Sequence, residues 1–357
     1  MKSRIINILL LLALSSTLSG QVIKEGRDKY TLLTMPYNMR QLTLYRGQFA
    51  VNAGYKFAVQ SRSYGDNRRI VYLTNKGTGS VYHYYFADVR YGILDFLEAG
   101  VETNYIRHGM RNETSTYVST TLSGTSNVTL NKITEVKGLG DILFFATLRQ
   151  PFSFRYVDVS ATGGLYIPSS QFKPQQPNDK VTTTAVANTY IINSYSRYTN
   201  GYGVPVYLLA GSLKVSVKKF SLAADFTFRT PKREGENIRW QATLADSKFT
   251  YTDKAYKYLL SNEYTVNGEI HYQPVGWFNF FVGCNWQKTK GGWTESAGIK
   301  YSNPVTSLVT IDPGFELQVS PSLTVFEVAG FPVSGRNTFA PFYIFTTIRF
   351  SNFLSVR

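Results

Sequence analysis

The chain has 357 residues, with 38 Lys and Arg against 23 Asp and Glu, a formal charge of +15 and one cysteine. That lone cysteine, Cys284, excludes an intrachain disulfide framework. Beyond residue 20 charged or strongly polar residues interrupt every apolar run, which excludes spanning helices and leaves a closed barrel as the only way to cross a bilayer.

The start reads as a cleaved signal peptide over residues 1–20. Lys2 and Arg4 form a basic leader, residues 5–14 are an almost unbroken apolar run, and small or polar residues follow. Gln21 stands where a lipidated cysteine would be needed. Removing Lys2 and Arg4 takes the formal charge from +15 to +13. An exported protein rarely meets nucleic acid, so outer-membrane lipid and anionic lipopolysaccharide are the matched neighbours for this excess. Solvated basic loops account for it equally well. Residues 21–47 are expected to form a periplasmic N-terminal segment, for which a loose tail and a small plug both fit.

From residue 48 onward one pattern recurs: about ten residues alternating apolar and polar, the period of a strand with one dry and one wet face. The spacing predicts strands over 48–61, 80–91, 95–107, 139–149, 153–167 and 202–214. It predicts six more over 219–229, 260–273, 277–288, 308–319, 322–332 and 339–350. In the first, Phe49, Val51, Ala53, Tyr55, Phe57 and Val59 share one face. In the second, Tyr85, Ala87, Val89 and Tyr91 oppose Asp88 and Arg90. In 219–229, Phe220, Leu222, Ala224, Phe226 and Phe228 oppose Ser221, Asp225, Thr227 and Arg229.

The links between strands carry independent information. Even-to-odd links are very short (92–94, 150–152, 215–218, 274–276, 320–321), whereas most odd-to-even links are long (62–79, 108–138, 168–201, 230–259, 289–307). Short turns at one rim and long loops at the other are the habit of outer-membrane barrels. The fold class expected is therefore all-β, a transmembrane antiparallel up-and-down barrel of about twelve strands. It would occupy residues 48–350, with a tail at 351–357. Residues 115–131, nearly free of aromatics, are expected to be mobile loop.

With apolar faces turned to lipid, the polar faces line the lumen. The residues predicted to point inward are Lys56, Asp88, Arg90, Glu98, Glu102, Asp158, Asp225, Arg229, Glu263, Glu269, His271 and Arg349. Mixed signs there suit either an internal network that narrows the barrel or a solute path. Phe86, Trp277 and Phe281 are read as inward aromatics, either resting places for a hydrophobic solute or space-fillers. No catalytic residue is assigned: His83, His108 and His271 are far apart, and no serine sits at a diagnostic spacing. Gly138-Leu139-Gly140-Asp141 lacks the Lys and following helix of a phosphate loop. No Cys/His cluster has metal spacing, and no cofactor is expected.

Several stretches resemble the meta-pathway phenol-degradation family of outer-membrane transporters. They are the strand–turn–strand run Tyr91-Gly92-Ile93-Leu94-Asp95-Phe96-Leu97-Glu98-Ala99-Gly100, the strand entry Gly138-Leu139-Gly140-Asp141-Ile142, and Gly163-Gly164-Leu165-Tyr166-Ile167-Pro168-Ser169. Gly335-Arg336-Asn337 before a strand ending in Arg349-Phe350 is similar to terminal hairpins of such barrels. The chain departs from the pattern where a Gly usually follows Pro168, beyond Phe350, where the terminal aromatic read by barrel-assembly machinery usually ends the chain, and over residues 238–257, which have no counterpart. The resemblance implies a passive channel for small hydrophobic or aromatic compounds. The alternative is a structural or adhesive surface barrel with a closed lumen and working loops.

Overall fold

The computed structural model describes residues 44–72, 80–121, 124–149, 157–168, 178–183, 190–194, 202–245, 248–296 and 298–353. The expected signal peptide and most of the segment after it lie outside these residues.

Twelve antiparallel strands close into one ring. In chain order they are β1 (Gln48–Gln60), β2 (Ser80–Leu94), β3 (Leu97–Thr121), β4 (Ile142–Arg149), β5 (Val157–Ile167) and β6 (Val206–Val217). Then come β7 (Phe220–Pro231), β8 (Asn262–Val275), β9 (Phe278–Lys290), β10 (Thr306–Ser320), β11 (Leu323–Arg336) and β12 (Phe342–Phe353). Each pairs with its sequence neighbours, and β12 returns to β1 over the register Gln48↔Phe353 to Val59↔Phe342. The barrel is up-and-down, as the link lengths predict. Its last strand runs through Phe353.

The inside–outside sense settles which medium the apolar faces meet. Along β9, Phe280 and Val282 are more than half exposed, while Asn279 and Asn285 are no more than 2% exposed. Leu209, Leu222 and Ile270 likewise cover the exterior, and Asn52, Glu98 and Glu269 are buried inside. So continuous an apolar exterior around a polar interior is the transmembrane arrangement; in water it would be an aggregating surface.

On one rim the described links are two-residue turns, such as Asp95–Phe96 and Lys218–Lys219, with Lys218 in the left-handed region at φ 53°. At the other rim several strands continue past the barrel. The upper part of β3 pairs with Gly124–Leu139 through Thr121↔Gly124, and that segment pairs with Asn178–Thr183. A five-stranded sheet joins Tyr190–Ser194, Gly235–Ala245, Lys248–Leu259, Trp293–Ser296 and Ile299–Ser302. Much of what was expected as loop is thus strand, including the described parts of 115–131 and of the unplaced region 238–257. The cause is local: β-branched and aromatic residues such as Val118, Thr120, Trp240 and Tyr251 favour extended chain on either side of the membrane.

Gly138-Leu139-Gly140-Asp141 is where that upper extension becomes a barrel strand. Gly140 N donates to Asn104 O at 2.8 Å, holding the chain to β3 across the break before β4 begins. The buried Asp141 carboxylate accepts from Tyr202 N at 2.6 Å, which ties down the entry to β6.

Candidate functional site

Every second residue of each barrel strand points into the lumen, and the register decides which of these residues share a level. Asn52 on β1 pairs with both Asp88 and Arg349. Asp88 in turn pairs with Glu102 on β3. These residues lie near the short-turn rim and build a polar floor.

One arm of the floor runs from Asn52 Nδ2, which donates to Asp88 Oδ1 at 2.7 Å. Arg90 Nε lies 2.8 Å from Asp88, and its NH1 lies 3.6 Å from Glu98. Glu98 Oε2 then accepts from Leu44 N at 3.2 Å. A second arm runs across β8, β9, β10 and β12. Glu269 Oε2 lies 2.8 Å from His271 Nε2, and His271 Nδ1 meets Asn279 Nδ2 at 3.1 Å. Asn279 donates to Glu316 at 3.2 Å, and Arg349 donates to the other Glu316 oxygen at 3.4 Å. Both nitrogens of His271 are therefore engaged within the network, a polar lumenal role. Asp88, Arg90, Glu98, Glu269, His271, Glu316 and Arg349 are all no more than 3% exposed. Groups lining a wide aqueous pore would be wet. At this level the lumen is closed.

The chain before β1 adds to the closure. Leu44 is buried against Ala50 and Phe326. Gly47 N donates to Gly92 O, and a Cβ on Gly92 would stand 2.1 Å from the Tyr45 carbonyl oxygen. Only a glycine admits the chain so close to the inner wall. Residues 44–47 thus cap the mouth from within.

Toward the other rim the lumen changes character. Arg229 NH1 lies 3.4 Å from Glu263, whose Oε2 also accepts from the Tyr202 hydroxyl at 3.2 Å. The Arg229 guanidinium stands 5.9 Å from the Tyr166 ring centroid. Leu143, Phe145, Val206 and Leu208 pack beside this node. On the opposite wall Tyr82, Tyr84 and Phe86, successive inward residues of β2, form a ladder with centroids 6.2 Å apart at each step. Phe86 stacks on Phe345 of β12 at 5.6 Å. The three β2 rings are half-buried, and Tyr82 and Phe86 pack against the buried Tyr343 and Phe345.

The twelve residues read as inward by sequence stand as follows. The structure gathers Asp88, Arg90, Glu98, Glu102, Glu269, His271 and Arg349 in the closed half. Arg229 and Glu263 meet in the upper node. Asp158 pairs with Arg149 instead, on adjacent wall strands. Asp225 sits in register with Ser212 and Asn267. Lys56 lies beside the aromatic ladder, 3.9 Å from the Tyr343 ring centroid. Phe281 is buried in the lumen, but Trp277 is not inward: it is exposed in the turn before β9, where the two-residue period has lapsed. Sequence reasoning missed Glu316 and Asp312, although the same alternation along β10 marks both. It also missed Leu44, which no periodicity signals.

The chain resembles an outer membrane channel from Pseudomonas putida F1, with TM-score 0.59 and 11% identity over 92% of this chain and 100% of that one. The likeness is one of fold. Weaker matches include a deletion mutant of the TodX monoaromatic hydrocarbon channel (TM-score 0.48, 8% identity, 87% of this chain and 91% of that one). Another is the translocator domain of the autotransporter NalP from Neisseria meningitidis (TM-score 0.43, 7% identity, 86% and 89%). No protein-family model and no curated protein matches the sequence.

Proposed function

We propose that this protein is an outer-membrane channel for passive entry of small hydrophobic or aromatic compounds. The observation that carries the reading is the lumenal ladder of Tyr82, Tyr84, Phe86 and Phe345, a continuous run of ring faces and edges on the inner wall of a lipid-embedded barrel. Rings in that arrangement favour another ring by offset or edge contact, each worth about 0.5–1.5 kcal/mol beyond area burial. The motif resemblance to the meta-pathway phenol-degradation family points the same way. Exposed Arg68, Arg69, Lys232, Arg233 and Lys257 at the long-loop rim suit lipopolysaccharide phosphates. Passage requires the floor and Leu44 to yield, so the structure corresponds to the shut state of such a channel.

The test is uptake by proteoliposomes containing lipopolysaccharide, comparing toluene with arabinose. Faster toluene entry than in protein-free vesicles, with arabinose excluded and the gain lost in Phe86→Ala, supports the channel. No gain for toluene, from protein with heat-modifiable barrel migration, sinks it in favour of a surface barrel whose loops do the work.

A further inference from the structure

Among the described residues, Lys56 is the one lumenal ammonium placed against an aromatic ring. In register it stands between Tyr84 of β2 and Phe345 of β12. Its neighbours along the inner face of β1 are Gly54 and Ala58, the smallest residues available there. That choice lets large rings lie over the wall on both sides. A Cβ on Gly54 would fall 2.0 Å from the Phe86 ring, and one on Gly330 would fall 2.0 Å from the Tyr343 ring. Tyr343 lies against the Lys56 ammonium, Tyr84 and Phe345 flank it in register, and Tyr82 and Phe86 stack on those two rings.

That cation has no carboxylate within ion-pair distance among the described residues. Its contact is the face of Tyr343, at 3.9 Å. Asp312 lies beyond that distance; its Oδ1 accepts from the Tyr343 hydroxyl at 2.7 Å and its Oδ2 from Thr310 at 3.1 Å. A cation–π contact orients an ammonium but does not neutralise it. Elsewhere in this lumen Arg90, Arg149, Arg229 and Arg349 each have a carboxylate within 4 Å. Lys56 is the exception to these, and it and the adjacent Tyr84 and Phe86 are only half-buried.

Resting on the channel reading above, we propose that this cage binds aromatic carboxylates of about one ring. The ring would lie against the half-buried Tyr84 and Phe86, and the carboxylate would pair with Lys56 Nζ. The complement is chemical on both counts. A neutral hydrocarbon satisfies the rings and leaves the ammonium unpaired, whereas a small aliphatic anion satisfies the ammonium and leaves the rings unfilled. An arginine at 56 would keep the charge, and a methionine would keep the length and lose it.

The experiment is calorimetric titration of the full-length protein in detergent at low salt with benzoate, benzyl alcohol and acetate, on wild type, Lys56→Met and Lys56→Arg. Heat-modifiable migration shows that each variant is folded. The proposal expects benzoate to bind at least tenfold more tightly than either benzyl alcohol or acetate. It expects Lys56→Met to lose that advantage and leave benzyl alcohol unchanged, and Lys56→Arg to stay within about threefold of wild type. Benzoate binding unchanged in Lys56→Met, or acetate binding as well as benzoate, overturns it. Binding of benzyl alcohol without benzoate overturns the carboxylate site and leaves the aromatic channel standing. No binding of either ring compound, together with no toluene flux, overturns both.

Discussion

Arg90 is the most exacting test of how the lumen is held together. Its guanidinium is 2% exposed, lies 2.8 Å from Asp88 and 3.6 Å from Glu98, and stacks 5.0 Å from the Phe145 ring centroid. Arg90→Met keeps a chain of similar length and removes the charge, leaving two carboxylates equally buried. Removing one partner of a buried pair costs about 3–5 kcal/mol, against about 0–1 for an exposed pair. Asn52 and the Leu44 amide still hydrogen-bond the two acids, which places the expectation at the lower end, about 3 kcal/mol. Near 1.4 kcal/mol per tenfold, this is on the order of a hundredfold in the folding equilibrium. The assay is reversible urea unfolding in lipid vesicles at neutral pH, followed by tryptophan fluorescence and band shift. The triple variant Asp88→Asn, Arg90→Met, Glu98→Gln removes all three charges together and should recover most of the loss. A cost below about 1 kcal/mol for the single variant, or a triple variant no more stable than the single, would refute the reasoning.

Three further expectations are more local. Gly92→Val should push residues 44–47 out of the mouth, because the new side chain meets a backbone oxygen, and tryptic cleavage after Arg46 should quicken at least tenfold; an unchanged rate counts against the cap. Asp66 accepts from the Arg336 guanidinium and Asn337, and these bonds hold its carboxyl below the ordinary aspartate range. A depressed folded value means that the tie is fully present above about pH 3.8 and fades as pH falls through the lower folded value. Carboxyl carbon NMR should show a midpoint below 3.8 that rises in Arg336→Met, and equal midpoints would dismiss the contact. Cys284 is exposed on the outer face between Val282 and Trp286. A lipid-soluble maleimide should label it in vesicles, and a charged one only after unfolding; rapid labelling by the charged reagent would displace that face from lipid.

The barrel was legible because its two media alternate at every second residue. Asp88 and Arg90 against Val89 and Tyr91, or Asn279 and Asn285 against Phe280 and Val282, assign a face with no tertiary knowledge. The same rule falters where the period does. Trp277 belongs to a turn, so counting back from β9 places it on the wrong side. The strands above the membrane were illegible for a different reason. Strand-forming residues carry no mark of where lipid ends, and the sequence of Gly235–Ala245, a strand outside the barrel ring, alternates much as that of β7 does. The partnerships inside the lumen were also hidden, since Asn279, Glu316 and Arg349 come from three strands and meet only once the ring is closed. Face is a local property of the chain, and pairing is not.

The tie between Arg336 and Asp66 joins the loop after the first strand to the one before the last, 270 residues apart in the chain. Asn337 N, through Gly65 O, and Ala340 N, through Arg62 O, fasten the same two loops. Directly below them lies the twelve-pair β1–β12 ladder, the only barrel ladder whose strands are not sequence neighbours. Every other ladder can form as its hairpin emerges, but this one waits for the whole chain, and contacts of such separation are the slowest to find. The rim tie therefore acts as a latch on the seam. It can engage only after both edges have met, and it then hinders the seam from unzipping at its outer end.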